Sequence, residues 1–316
     1  MKTTKSAFLT TLAAVGVLAL SACAGGSPGT AGTSGAAGDE HSFIYLTNNP
    51  IGVNKFLESG KVGIEAAAKE FNGTAKTFEG SNEEARRANL EAAVAEAPDV
   101  IVLITFDFDD LGKEFAEANP DQEFLLIDSC PADAPENLTC AVFREQEAPS
   151  LTGADAGLRT TSNKVGSIGA LDIPFIHRYT DSFYLGAAAE NPAAVDTQLF
   201  IGGTNPFGDP AKGKEQALSI AATGSDQVFA VASGSNGGVF EAAADKGFTA
   251  YGIDVNQCVD APGHIGDSTL KAVDVVVVSE VGKILKGTNT PVSSYGLKEG
   301  GMNIVSLSDQ AEGSQC

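Results

Sequence analysis

Gly208-Asp209-Pro210-Ala211-Lys212-Gly213-Lys214 has the GxxxxGK spacing that cradles nucleotide phosphates, and it falls between an expected strand and an expected helix. The next residue, Glu215, stands where Ser or Thr would hold magnesium, and its carboxylate would repel the phosphates. Pro210 also removes a backbone N–H from the cradle. The same residues make an ordinary helix start, with Asp209 as N-cap and Pro210 at the first position. Gly234-Ser235-Asn236-Gly237-Gly238 lacks the dinucleotide-binding spacing and reads as a tight loop that opens a helix with exposed backbone donors. There is no GxSxG between an expected strand and helix, no HExxH and no usable Ser/His/Asp arrangement, and His41, His177 and His264 are isolated from one another in sequence. Asp109-Asp110 sits at a helix start, where negative charge is favoured anyway. Catalysis is not indicated, and neither a metal nor a cofactor is expected.

The elements that must position these loops alternate regularly. Phe43–Thr47 reads as a buried strand, 55–71 as an amphipathic helix, 75–78 as a strand and 82–95 as a helix. Val100-Ile101-Val102-Leu103-Ile104 is a continuous β-branched run that only a sheet covered on both faces would bury. A helix over 109–118 and a strand over 123–128 follow. The alternation then restarts, with helices at 148–160, 176–190, 212–222 and 236–246 between strands at 164–170, 197–201, 228–232 and 250–253. A last helix is expected over 271–286, which places Lys271 at its start. The pattern predicts an α/β protein of two doubly wound parallel-sheet lobes. Residues 41–144 form the first lobe, to which 270–296 returns; residues 145–269 form the second, to which 297–312 returns. Open α/β sheets bind ligands beyond the carboxyl ends of their strands, so facing lobes put the ligand in the cleft between them.

The N-terminus indicates export. Lys2 and Lys5 precede an apolar or small-residue run from Ala7 to Leu20, and Leu20-Ser21-Ala22-Cys23 resembles the bacterial lipobox. Residues 1–22 are read as a lipoprotein signal peptide and Cys23 as the acylated first residue of the mature chain. Residues 23–40, rich in Gly, Ser, Thr and Ala, are expected to form a flexible tether to the extracytoplasmic face of the cell membrane. The formal net charge of −21 becomes −23 once Lys2 and Lys5 are removed, which disfavours nucleic acid and anionic lipid as partners. Cys130, Cys140, Cys258 and Cys316 remain in a compartment where disulfides persist. Three pairings are open; Cys130 with Cys140 around a Pro-rich loop, and Cys258 with Cys316, is the expected set.

Several segments together resemble the basic membrane protein family of lipoproteins, which includes purine nucleoside receptors of ABC importers. Ala170-Leu171-Asp172-Ile173-Pro174-Phe175-Ile176 is similar to its GG-M-D-I-P-x-I segment, and Phe207-Gly208-Asp209-Pro210-Ala211-Lys212-Gly213 to its F-x-D-P-x-K-G. Phe143-Arg144-Glu145-Gln146-Glu147 resembles its F-R-E-x-E crossing, Tyr251-Gly252-Ile253-Asp254 its G-[VI]-D turn, and Leu297-Lys298-Glu299-Gly300-Gly301 its L-x-E-G-G. The resemblance runs from Phe43 to Leu307.

It implies a type I periplasmic-binding-protein fold with a nucleoside held between the lobes. Phe56 and Phe207 would sandwich the base, Asp110 would read its edge, and Asp254 and Lys271 would hold the ribose beside the loop of Gly234 and Ser235. Base stacking on aromatic rings is worth roughly 1–3 kcal/mol per base. The chain departs from the family where Asn48 replaces a first-loop Asp and where Lys55-Phe56-Leu57-Glu58 replaces S-F-N-Q, so that Leu57 stands in place of a base-reading Asn. The expected function is a monomeric, lipid-anchored, non-enzymatic receptor. It would deliver a nucleoside, purine by the resemblance, to an ABC permease and its ATPase subunit. The alternative is a surface lipoprotein of the same fold, a sensor or adhesin that binds another small polar ligand.

Overall fold

The computed structural model describes residues 40–311 and Cys316. The expected signal peptide, Cys23 and the expected tether up to residue 39 lie outside the described residues. Two six-stranded sheets, each flanked by helices, build two lobes. The first lobe opens with β1 (His41–Thr47), α1 (Lys55–Glu70), β2 (Gly73–Glu79), α2 (Glu83–Glu96) and β3 (Val100–Ile104). It continues through α3 (Asp109–Ala118), β4 (Glu123–Ile127) and β5 (Leu138–Phe143). All five residues of β3 are buried, as its apolar run requires of a central strand.

The chain then crosses to the second lobe and repeats the scheme. There α4 (Glu147–Arg159), β6 (Lys164–Gly169), α5 (Pro174–Glu190) and β7 (Val195–Phe200) are followed by α6 (Pro210–Ala222), β8 (Gln227–Val231) and α7 (Asn236–Lys246). Strands β9 (Thr249–Gly252) and β10 (Ile265–Lys271) complete this pass. The chain returns to the first lobe through α8 (Val273–Leu285) and β11 (Val292–Tyr295), and ends in the second lobe with β12 (Met302–Ile304). Sheet order is β11-β5-β4-β3-β1-β2 in one lobe and β12-β10-β9-β8-β6-β7 in the other. Every pairing is parallel except β10 with β12.

Packing explains the small residues. Helices α4 and α5 approach so closely that a Cβ at Gly153 would collide with the Phe183 carbonyl, and one at Gly186 with that of Ser150. In the first lobe, Gly63 of α1 lies against the backbone of Asp274, which seats α1 on α8. The lobe 1 core joins Phe43, Tyr45 and Ile64 to Val273 and Val277 from the returning helix.

Two expectations are corrected. Lys271 does not start a helix; it ends β10, and α8 begins two residues later, with Val273 and Val277 buried against the first lobe. Leu138–Phe143, expected only as a loop and crossing, is a fully integrated strand between β4 and β11. Cys130 is bonded to Cys140, with Cα atoms 5.4 Å apart, and Cys258 to Cys316 at 4.9 Å. Each lobe therefore carries one disulfide. No helix among the described residues is long and apolar enough to cross a membrane.

Candidate functional site

Four loops at the carboxyl ends of central strands meet between the lobes. Thr105 follows β3, Asp128 follows β4, Ser233 lies just beyond β8 and Asp254 just beyond β9. All four line one cavity, and all four have positive φ, from 48° at Ser233 to 79° at Thr105. Non-glycine residues avoid this region, and a β-branched Thr does so most, so the backbone is held in strained turns at the place where ligands bind in such folds.

The aromatic part of the wall comes from both lobes. Phe56, in the first turn of α1, is 9% exposed, and Phe207, from the loop before α6, is half-buried. Phe106 of the first lobe meets Phe175 of the second across the cleft, with ring centroids 5.6 Å apart. Sequence reasoning had placed Phe56 and Phe207 here and missed Phe106, Phe175 and Tyr179. The signal available for Phe106 was its position next to a strand end.

The polar end centres on Lys271, which is 3% exposed. Its ammonium pairs with the Asp128 carboxylate, donates to the Tyr179 hydroxyl at 2.8 Å and lies 3.6 Å from Glu145. The rings of Phe143, Phe56 and Phe175 surround it at 4.8, 5.3 and 5.4 Å from their centroids. Burial works against this charge, but Asp128, Glu145 and Asp254 outweigh it and hold the lysine above its ordinary range. The carboxyls feel the converse. Burial raises Asp128, and Glu145 adds to that effect against the pull of Lys271; burial pushes Asp254 up to about 6, with Lys271 pulling it back. Three carboxyl groups surround one ammonium, so this end of the cavity accommodates neutral hydroxyl donors better than anions.

Amides occupy the other side. Asn48 donates to Asp107 at 2.6 Å, and Arg86 lies 3.8 Å from the same carboxylate, which fixes the Asn48 amide and leaves its buried Oδ1 without a partner among the described residues. Asn54 caps α1 by accepting the Leu57 N–H, and its same oxygen accepts the Ser233 hydroxyl of the opposite lobe at 2.8 Å. Leu57 lines the cavity with an apolar side chain.

Of the residues expected from sequence, Asn48, Phe56, Phe207, Asp254 and Lys271 line the cavity; Asp110, Gly234 and Ser235 do not. Asp110 is exposed in the first turn of α3, pointed away by the one-turn helix Phe106–Phe108 that precedes it; Asp128 is the acid the first lobe presents instead. Ser235 is fully buried, donating to the Pro206 carbonyl and accepting the Asp209 N–H, so it shapes the Phe207 loop from behind. Gly234 is a contact point between lobes, where a Cβ would meet the Phe207 carbonyl and Val53 at 2.8 Å each.

Two α/β lobes joined by three crossings and closed over a strand-end cavity define a solute-binding protein of the type I periplasmic-binding-protein fold. The chain belongs to the Bmp family, ABC transporter substrate-binding proteins that are PnrA-like, whose model matches residues 45–315. It is similar to the ABC transporter nucleoside-binding protein BmpA of Lactococcus lactis subsp. cremoris, 28% identical over 293 residues that cover 84% of this chain and 81% of that one. An uncharacterized lipoprotein of Pyrococcus abyssi is 29% identical over 259 residues, 78% of this chain and 64% of the relative, so the chain spans less than two thirds of that protein. Among solved structures, an ABC transporter system solute-binding protein from Aeropyrum pernix superposes with a TM-score of 0.75 at 27% identity, covering 84% of this chain and 76% of that one. An ABC transporter solute-binding protein from Mycobacterium smegmatis with bound glycerol shares the fold, at a TM-score of 0.68 and 15% identity over 86% and 96% of the two chains.

Proposed function

We propose that the protein is a lipid-anchored receptor on the extracytoplasmic face of the cell membrane that binds a nucleoside, purine in preference, and delivers it to an ABC permease driven by an ATPase subunit. The observation that carries this reading is the division of one cavity into an aromatic part, with Phe56 and Phe207, and a charged end, with Lys271, Asp128 and Asp254. A flat heterocycle gains from stacking, and a ribose diol can donate to carboxylates while accepting from the ammonium. The Lactococcus relative is named as nucleoside-binding, and the Pyrococcus relative as a lipoprotein. The ligand bridges both lobes and favours the closed state through contacts that the open state lacks. No bond is made or broken.

The test is to purify the chain from residue 24 onward, titrate it calorimetrically with inosine, guanosine, adenosine and cytidine, and identify by mass spectrometry whatever co-purifies. Micromolar or tighter binding of a purine nucleoside, returned chemically unchanged, is the expected result. Absence of binding to all four, with a different small molecule recovered from the cavity, would overturn the nucleoside assignment. For the anchor, Cys23→Ser should move the full chain from the membrane fraction to the soluble one.

A further inference from the structure

Glu145 does not line the cavity, yet it is 1% exposed in the first crossing between the lobes, where a carboxylate would ordinarily stay in water. Its two oxygens face two cations of the second lobe: Lys271 at 3.6 Å and Arg178 at 3.1 Å. Both cations support the cavity, Lys271 directly and Arg178 through its guanidinium, which lies 4.9 Å from the centre of the Phe175 ring. Lys271 is also the last residue before the second crossing, at Ala272. The Glu145–Lys271 contact therefore joins two of the three crossings directly beneath the ligand space.

The neighbouring residues face the other way. Arg144 bonds Glu147 at 2.5 Å, pairs with Glu299 and donates to the Ser294 carbonyl at 3.1 Å. Glu147 in turn accepts the Leu297 N–H at 2.6 Å. Where β5 ends and the chain turns into α4, Phe143 and Glu145 lie against Lys271, while Arg144 reaches the third crossing. One run of residues thus staples the hinge with one face and holds a ligand-cavity cation with the other. Asp128 approaches Lys271 from the body of the first lobe, whereas Glu145 approaches it from the crossing itself.

The geometry points to Glu145 as a positioning residue that keeps the Lys271 ammonium aimed at the cavity through opening and closing and so couples ligand binding to the hinge. For the choice of probe this rests on the nucleoside reading above. The groups that face Glu145 are Lys271 at the end of β10, Arg178 and Tyr179 on α5, and, within charge–charge range, Asp128 beyond β4. The charge of Glu145 raises Asp128, so removing it should lower the pH at which binding falls away.

The test compares wild type with Glu145→Gln and Arg178→Gln by inosine calorimetry from pH 5 to 8 and by small-angle X-ray scattering without ligand. For Glu145→Gln, affinity should fall at least fivefold, the acid limb of the binding profile should move to lower pH, and the ligand-free particle should be more open. Arg178 is an exposed side chain, so its variant should fold even if Glu145→Gln does not. With Arg178 gone, Glu145 acts undiluted on Lys271 and Asp128, and the acid limb should move to higher pH. Unchanged affinity, pH profile and ligand-free dimensions in Glu145→Gln, or an acid limb in Arg178→Gln that stays or moves downward, would overturn the coupling role. If wild type binds no nucleoside, the functional reading above fails, and the ligand-free scattering still decides Glu145.

Discussion

The two lobes are built on one plan and furnished differently. Their sheet orders correspond strand for strand, and each places an Asp in left-handed conformation beyond its fourth strand, Asp128 in one and Asp254 in the other. Both acids face a single cation, Lys271, which only the second lobe possesses. The first lobe contributes amides and apolar groups, Asn48, Asn54, Phe56 and Leu57, while the second contributes the lysine, Tyr179 and the Phe207 loop. Repeating a backbone therefore supplies matched positions for side chains, and recognition arises from where the two sets of side chains diverge.

That comparison can be tested most severely at its asymmetric element. Lys271→Met removes the one cation shared by acids from both lobes, and breaking a buried pair in this way costs about 3–5 kcal/mol. Urea denaturation should show a loss of that size, with nucleoside binding abolished; a loss under about 1 kcal/mol would mean that the acids do not depend on it. The aromatic pair should separate stability from binding. Phe56→Ala, in the lobe 1 core, should cost about 3 kcal/mol of stability as well as affinity. Phe207→Ala, on its half-buried loop, should weaken binding at least tenfold while shifting the melting temperature little. Equal destabilisation by both would show that Phe207 is a core residue.

The matched acids give a pH signature. Asp254 holds its proton to about 6 when folded, against an ordinary 3.8, so between those values the folded chain binds more protons than the unfolded one. Stability should therefore fall as pH rises through that window, by at most about 1.4 kcal/mol per pH unit, and level off above it. Asp254→Asn should flatten this slope in denaturation midpoints measured from pH 4 to 7, and Asp128→Asn should act in the same direction. A slope untouched by both would remove the acids from the account. The smallest effect belongs to the strained turns. Thr105→Gly relieves a β-branched residue at φ 79° and should be neutral or stabilising within about 1 kcal/mol. Ser233→Gly should be the worse of the two, because it also deletes the hydroxyl that bonds Asn54 across the cleft.

The alternation of elements was legible because β1, β3, β4 and β8 carry apolar runs buried on both faces. Strand β10 was not, because Asp267, Ser268, Thr269 and Lys271 look like a loop. They are buried only because specific partners satisfy them, among them the Ser306 hydroxyl on Asp267 at 2.5 Å and the Gly252 carbonyl on Thr269 at 3.3 Å. No local pattern announces partners so distant in sequence. The same blindness placed Lys271 on a helix. Asp128 was the opposite case: it ended a predicted strand, where the strand-end rule alone would have selected it ahead of Asp110, whose choice rested on motif spacing. Asp110 is separated from its strand by the Phe106–Phe108 turn, and counting residues cannot show which way a turn aims the next side chain.

The order in which the chain is made bears on how it can mature. Strand β11 borders one sheet and β12 the other, and both come from residues 292–304. A nascent polypeptide halted before Val292 would have an unfinished margin in each half, with α1 deprived of α8 if synthesis stopped earlier still. Neither half can complete its sheet until residues 292–304 have been made, so the two margins close together, from one short stretch of chain.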